Sequence, residues 1–202
     1  MLRLPVHMID ADVTLLRDTV LPLSVDDLMT ELISATPWRQ DMIEIFGRQV
    51  QQPRLHAWYG DADAVYTYSG LRNTPLPWTP ILTSLRDCAE RLSGARFNSV
   101  LLNLYRDNQD SMGMHADDEP ELGAKPVIAS LSLGATRAFI MKHRNQWALP
   151  KVRIQLQSGD WLIMRGPTQQ YWKHGINRQT RPCGARLNLT FRQIIGDDPV
   201  FV

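Results

Sequence analysis

Seven residues near the C-terminal end, Arg186 to Arg192 (RLNLTFR), alternate polar and apolar without a break. Side chains at i and i+2 of a strand share a face. Leu187, Leu189 and Phe191 therefore mark a core-facing side, while Arg186, Asn188, Thr190 and Arg192 share the other. The solvated face of an antiparallel sheet would look much the same. A second strand of similar design argues for more. In Val100 to Tyr105, Asn103 and Tyr105 share one face and Leu102 and Leu104 the other. Between the two strands in the sequence lie His115-Ala116-Asp117 and, later, His174. Two arginines, two histidines and an aspartate in this setting point to a site for an anion and a metal.

The rest of the chain supplies more strands of this kind. Leu4, Val6 and Met8 alternate as an early strand. Ser24 and Asp27 resemble a capping box ahead of a helix that stops at Pro37. Ile43, Ile45 and Phe46 with Val50 and Leu55 flank Gly47 as a hairpin, and 65–68 reads as a short aromatic strand. Thr79-Pro80 opens a helix whose Ile81, Leu82, Leu85, Ala89 and Leu92 repeat at helical spacing as far as Gly94. From Phe97 onward, strand-like runs fall at 97–105, 127–133, 136–143, 151–156, 159–165, 170–174 and 185–194. Many short strands after an early pair of helices predict an α+β, mainly β fold, a double-sheet jelly roll or barrel with the helices packed on one side.

At 202 residues the chain is expected to form one domain, 1–202, with a core large enough to need no disulfide. Its two cysteines, Cys88 and Cys183, imply no disulfide framework and favour a reducing compartment. No apolar run approaches the roughly twenty residues of a membrane span, so no membrane partner is expected. The net charge of +1 is uninformative, but residues 1–121 hold 10 Lys+Arg against 18 Asp+Glu and residues 122–202 hold 12 against 3, or −8 and +9. Such asymmetry fits a basic face for a polyanion.

His115, Asp117 and His174 form a two-His-one-carboxylate set, which leaves metal positions open for a bidentate co-substrate and O₂. A lone His-x-Asp also arises by chance as a loop histidine beside a turn acid. Arg186 and Arg192 strengthen the metal reading, because a dicarboxylate co-substrate calls for bidentate guanidinium clamps.

Several linked motifs then make the pattern specific: PRLHAWYGD at 53–61, YTYSG at 66–70, NLYRD at 103–107, HADDEPELG at 115–123, PVIASLSLGATRAF at 126–139 and RLNLTFRQ at 186–193. Together, from about Phe46 to Ile194, the chain resembles the AlkB family of 2-oxoglutarate- and Fe(II)-dependent nucleic-acid dealkylating dioxygenases. Its wording is nearest to the eukaryotic homologue associated with single-stranded DNA and RNA. The resemblance implies a double-stranded β-helix with a nucleotide-recognition region at about 43–75, and Fe(II) and 2-oxoglutarate as cofactor and co-substrate. It implies His115, Asp117 and His174 as catalytic Fe(II) ligands. Arg186 would bind the distal carboxylate of 2-oxoglutarate with Tyr105, Arg192 would hold the carboxylate near iron with Asn103, and Asn188 and Thr190 would add hydrogen bonds. On the substrate side it implies Tyr68 and His115 around a flipped base, with Tyr66 and Ser69 nearby, Phe46 as a wedge, Arg54 beyond it, and Asp118 and Glu119 attracting a cationic methylated base. For YTYSG and for Asp118-Glu119, an ordinary aromatic strand and a solvated acidic turn are the alternatives.

The implied reaction is oxidative demethylation of bases such as 1-methyladenine and 3-methylcytosine in DNA, with RNA as a further substrate, as direct repair of alkylation damage. It releases formaldehyde, succinate and CO₂. Duplex-acting relatives carry three consecutive basic residues after the last histidine, whereas here the stretch reads Asn177-Arg178-Gln179-Thr180-Arg181. Single strands are therefore expected to serve at least as well as duplex. The protein is expected to be a monomer, cytoplasmic in a bacterium and nuclear and cytoplasmic in a eukaryote. Two other readings remain at this stage: an oxygenase of the same chemistry acting on a protein or small molecule, and a non-catalytic nucleic-acid-binding module.

Overall fold

The computed structural model describes residues 1–45, 47–64, 66–68 and 71–195, with the side chains of 45, 66–68 and 71–73 left out. The proposed wedge Phe46 and Ser69 therefore lie outside the described residues, as do the side chains of Tyr66 and Tyr68.

The chain opens with strands β1 (Leu2–Pro5) and β2 (Asp12–Arg17), then helix α1 (Val25–Ala35). Ser24 caps α1, its hydroxyl accepting from the Asp27 N–H. A hairpin of β3 (Met42–Ile45) and β4 (Arg48–Gln51) follows, then β5 (Leu55–Gly60), β6 (Tyr66–Tyr68) and β7 (Leu71–Asn73). Helix α2 (Pro80–Ser93) starts on the Thr79 cap and stops at Gly94, whose φ of 71° is the left-handed conformation that closes a helix. After it come β8 (Ser99–Tyr105), β9 (Met112–His115), β10 (Ile128–Gly134), β11 (Arg137–His143), β12 (Val152–Leu156), β13 (Trp161–Arg165), the short helix α3 (Thr168–Tyr171), β14 (Trp172–Ile176) and β15 (Arg186–Arg192).

The strands assemble into a seven-stranded sheet, ordered β1-β2-β13-β10-β15-β8-β5, and a four-stranded sheet, ordered β12-β11-β14-β9. Within both, neighbours run antiparallel. This is the jelly roll expected from the strand-rich second half, with the two helices on one side. Leu28 and Leu32 of α1 and Leu82, Leu85 and Ala89 of α2 pack with Leu102, Leu104, Leu187, Leu189 and Phe191 on the outer face of the large sheet. A second apolar layer, including Ile128, Leu162, Phe139, Met141 and Ile176, fills the space between the sheets.

The alternation of β15 therefore resolves in favour of the buried reading. All seven of its residues are buried, because its leucines and phenylalanine meet the helices while its polar face looks at the other sheet. Several elements differ from the sequence expectation. β2 was hidden because Val13 and Leu15 feed the inner layer and Leu16 the outer one, so a strand buried on both faces shows no period-two pattern. Leu55 does not belong to the hairpin but begins β5, paired with Leu104 in the large sheet. The early strand stops at Pro5, and the expected 170–174 strand is one turn of helix followed by β14. β9 and β7, four and three residues long, carry too little pattern to read. Among the described residues no helix is long and apolar enough to cross a membrane.

Candidate active site

Two neighbouring strands of the small sheet bring the histidines together. His115 on β9 pairs in register with His174 on β14, although 58 residues of chain lie between them. Their rings lie 4.3 Å apart, edge to face. Asp117, just beyond the end of β9, completes a group whose three ligand atoms all fall within 4.8 Å of one another.

The protonation pattern suits a divalent metal. His115 Nδ1 lies 2.9 Å from the Gly113 carbonyl. In that bond Nδ1 is the donor, which turns Nε2 toward Asp117, 4.0 Å away. His174, 4% exposed, stacks on Phe139 at 5.0 Å. Burial, reinforced by His115, lowers its pKa to about 3, so it is a neutral imidazole at any ordinary pH. Burial pushes the Asp117 carboxyl up, but Arg192 and the two histidines more than offset this and hold it below the usual carboxylate range. Arg192 Nη2 donates to Asp117 Oδ1 at 2.6 Å. The other oxygen, Oδ2, is buried without a hydrogen-bond partner, 3.8 Å from His174 Nε2. Buried carboxylate oxygens are rarely left alone, and a cation between Oδ2 and the two imidazoles would satisfy this one. The donor set, two imidazole nitrogens and one anionic oxygen on one side, fits a first-row divalent ion such as Fe(II).

A polar wall of the large sheet faces this group. Registers across β8, β15 and β10 set Tyr105 beside Arg186, Asn103 beside Asn188 and Ser130 beside Thr190. Asn188 Nδ2 donates to Ser130 Oγ at 2.7 Å and to the Leu131 carbonyl at 3.0 Å, and Thr190 donates to Asn188 Oδ1 at 3.1 Å. Arg186 is 1% exposed. Its Nη2 donates to Ser132 Oγ at 2.9 Å, yet its Nε and Nη1 are buried without partners. Its guanidinium lies over the Tyr105 ring at 5.2 Å, and Arg137 lies over the same ring at 5.8 Å. Burial pulls the Arg186 pKa below its ordinary value, against a smaller opposing effect of Tyr105. A buried cation with two orphaned donors calls for an anion, and a carboxylate suits a guanidinium. These residues and the triad line one cavity between the sheets, which fits a dicarboxylate held at one end by Arg186.

The remaining candidates separate. The structure brings Arg186 directly to Tyr105, while Arg192 and Asn103 line the same cavity from different levels: Arg192 pairs across from Ser99, four residues along β8, and is engaged by Asp117. Asn103 Oδ1 instead accepts from Arg54 Nε at 2.7 Å, which ties the start of β5 to the cavity wall. Asp118, expected at the base, is held by Arg144 at 2.7 Å, while the half-buried Glu119 makes no side-chain bond among the described residues. Ser130 and Ser132, Arg137, Arg144 and Gln169 were not anticipated. The serines could have been: SLSLG at 130–134 alternates just as RLNLTFR does. The two arginines and the glutamine carry no such signal, because their partners, backbone carbonyls, one backbone amide and the Asp118 carboxylate, lie far away in sequence.

A family description, 2OG-Fe(II) oxygenase superfamily, matches residues 12–192. The chain belongs to the 2OG-Fe(II) oxygenase superfamily. Within it the relatives place the chain with the AlkB family. It is 42% identical over 159 residues to a DNA oxidative demethylase ALKBH2 of Mus musculus, covering 76% of this chain and 66% of that protein. It is 41% identical over 180 residues to the alpha-ketoglutarate-dependent dioxygenase alkB homolog 3 of Homo sapiens, covering 85% of this chain and 62% of that one. An ALKBH2 of Arabidopsis thaliana is 33% identical over 184 residues, covering 79% and 59%. The chain thus spans roughly three fifths to two thirds of the length of these relatives. Identity does not separate the two homologues, although the alignment with alkB homolog 3 reaches further along the chain. The solved structure of OsALKBH1 superposes with a TM-score of 0.66 at 19% identity, over 94% of this chain and all of that one, a likeness of fold. The family uses Fe(II) and 2-oxoglutarate, the two groups the cavity fits.

Proposed function

We propose that this chain is an Fe(II)- and 2-oxoglutarate-dependent demethylase of N-alkylated bases in nucleic acid, working in direct repair of alkylation damage. The observation that carries the reading is the pairing, in one buried cavity, of an orphaned Asp117 oxygen beside two histidines with an Arg186 guanidinium that keeps two donors unpaired. The names of the relatives, DNA oxidative demethylase among them, supply the substrate class.

His115, Asp117 and His174 would hold the iron. Arg186, with Tyr105 beneath it and Ser132 fixing its far nitrogen, would bind one carboxylate of 2-oxoglutarate. Bound there, iron, 2-oxoglutarate and O₂ supply oxidation of the N-methyl carbon, which leaves as formaldehyde while succinate and CO₂ form. The chain's own contribution is orientation and dryness. Arg192 keeps Asp117 ionised and fixes which oxygen points at the metal. The stack on Phe139 and the depressed pKa keep His174 unprotonated. Ser132 holds one nitrogen of Arg186, while Ser130, Asn188 and Thr190 bond to one another along the same wall. Glu119 would meet a cationic base, while Asp118 acts through Arg144. Tyr68 and Tyr66 would stack on the base, and Phe46 would fill the gap it leaves in the stack. The substrate is DNA and also RNA, with single strands used at least as well as duplex, by a monomer.

The test is 2-oxoglutarate turnover to succinate with Fe(II) and matched oligonucleotides, unmodified or carrying 1-methyladenine or 3-methylcytosine. The methylated strands should stimulate turnover and the unmodified ones should not. Equal stimulation by both would remove the methylated base from the reading.

A further inference from the structure

Asp117 sits where the backbone has left the sheet. β9 ends at His115, so the Asp117 N–H has no ladder partner, and a buried N–H without one is costly. The partner it has is a side chain: it donates to Gln169 Oε1 at 3.0 Å. Gln169 is 2% exposed, and the other end of its amide meets, among the described residues, only the Met164 sulfur, at 3.5 Å, a weak acceptor. An apolar residue of the same size would fill this space without an under-bonded amide. The amide's one good bond is the one to the residue that presents its free oxygen to the histidines.

The support behind Gln169 is firm. It lies on α3, where the buried Thr168 accepts from the Asp12 N–H at 2.9 Å, pinning the turn to the start of β2. The same turn holds the neighbouring residue by a second route. Arg144 Nη1 donates to the Gln169 and Gln170 carbonyls at 3.4 and 3.3 Å and to Asp118 Oδ2 at 2.7 Å. Residues 117 and 118 are therefore fixed from one place, the first through its backbone and the second through its carboxylate.

We propose that Gln169 is a positioning residue for Asp117, setting how the carboxylate meets the metal, so that its removal weakens metal binding rather than the fold. The proposal rests on the reading of His115, Asp117 and His174 as the ligand set. Groups that orient a ligand in this way are typically worth about 10- to 100-fold in metal affinity.

The experiment is calorimetric titration of the full chain with Mn(II), for wild type, Gln169→Leu and Gln169→Met, alongside thermal melts with and without the ion. Wild type should bind Mn(II) and gain melting temperature from it. Both variants should bind at least about tenfold more weakly and lose part of that gain, while their metal-free forms still melt cooperatively. Wild type that takes up no ion overturns the ligand set and the proposal with it. Wild type that binds, with variants that bind less than about tenfold more weakly, overturns the role of Gln169 alone, even if their metal-free forms melt lower. If Gln169→Leu does not fold, Gln169→Met decides in its place. If neither folds, Gln169 is a core residue and the proposal fails.

Discussion

Arg186→Lys keeps the positive charge and removes the planar fork. In the structure one Nη2 hydrogen goes to Ser132 while Nε and Nη1 keep no partner, and a planar guanidinium can offer a carboxylate two parallel bonds. A lysine ammonium at the same site can supply one of those bonds at best. A hydrogen bond to a charged group is worth about 1.5–3 kcal/mol, and each 1.4 kcal/mol is a factor of ten. The substitution should therefore weaken 2-oxoglutarate binding by roughly 10- to 150-fold. The assay is the 2-oxoglutarate dependence of succinate formation, together with oligonucleotide affinity by anisotropy. The expected pattern is a raised KM for 2-oxoglutarate with oligonucleotide binding unchanged. An unchanged KM would remove Arg186 from the co-substrate site, and an equal loss of both affinities would make it a general structural residue.

Asp117→Ala should abolish metal uptake and turnover together; a variant that demethylates at the wild-type rate refutes the ligand set. Tyr68→Ala should lose roughly 1–3 kcal/mol of oligonucleotide affinity, the usual worth of one base stack, while turnover of 2-oxoglutarate without substrate survives; loss of both would point to a structural tyrosine. Phe46→Ala should harm repair of duplex more than of single strands, because only a duplex needs a wedge to hold it open; equal losses on both would exclude that role. Asp110 tests the frame of the cavity. Burial pushes its carboxyl up, but the hydrogen bonds and charge of Arg106 more than offset this and hold it below the usual range. A depressed folded pKa means stability present above the unfolded value, about 3.9, and lost as pH falls through the folded one. Asp110→Asn should melt lower than wild type near neutrality, with the gap closing in acid; a gap that widens in acid would contradict the Arg106 pairing.

How far the chain could be read without coordinates follows from which side chains talk to neighbours in sequence. Ser24 with Asp27, and Thr79-Pro80 with Gly94, are local signals, and both helices begin and end where these residues place them. The alternation in β15 and β8 put Arg186 and Tyr105 on shared faces, and the register makes them direct neighbours. Alternation gives a face but no position along it, and only the register sets Arg192 across from Ser99. Asp118 read as an exposed acid next to the site because nothing nearby in sequence reveals Arg144. Arg137 was invisible for a similar reason. Its three bonds reach the carbonyls of Asp107, Asp110 and Asn177, and backbone carbonyls leave no mark in the sequence. The histidine pair was legible as residue types, and only the pairing of β9 with β14 gives it a geometry.

The central claim is that this cavity removes a methyl group from a base. Its most direct measurement is the intact mass of a single-stranded oligonucleotide carrying one 3-methylcytosine, taken after incubation with the protein, Fe(II), 2-oxoglutarate and O₂, with formaldehyde and succinate counted in the same sample. The account predicts that the strand loses one methyl group, with one formaldehyde released for each methyl lost and none in the Asp117→Ala control. Succinate formed while the strand keeps its mass, and neither 1-methyladenine nor duplex substrates change that result, would contradict it.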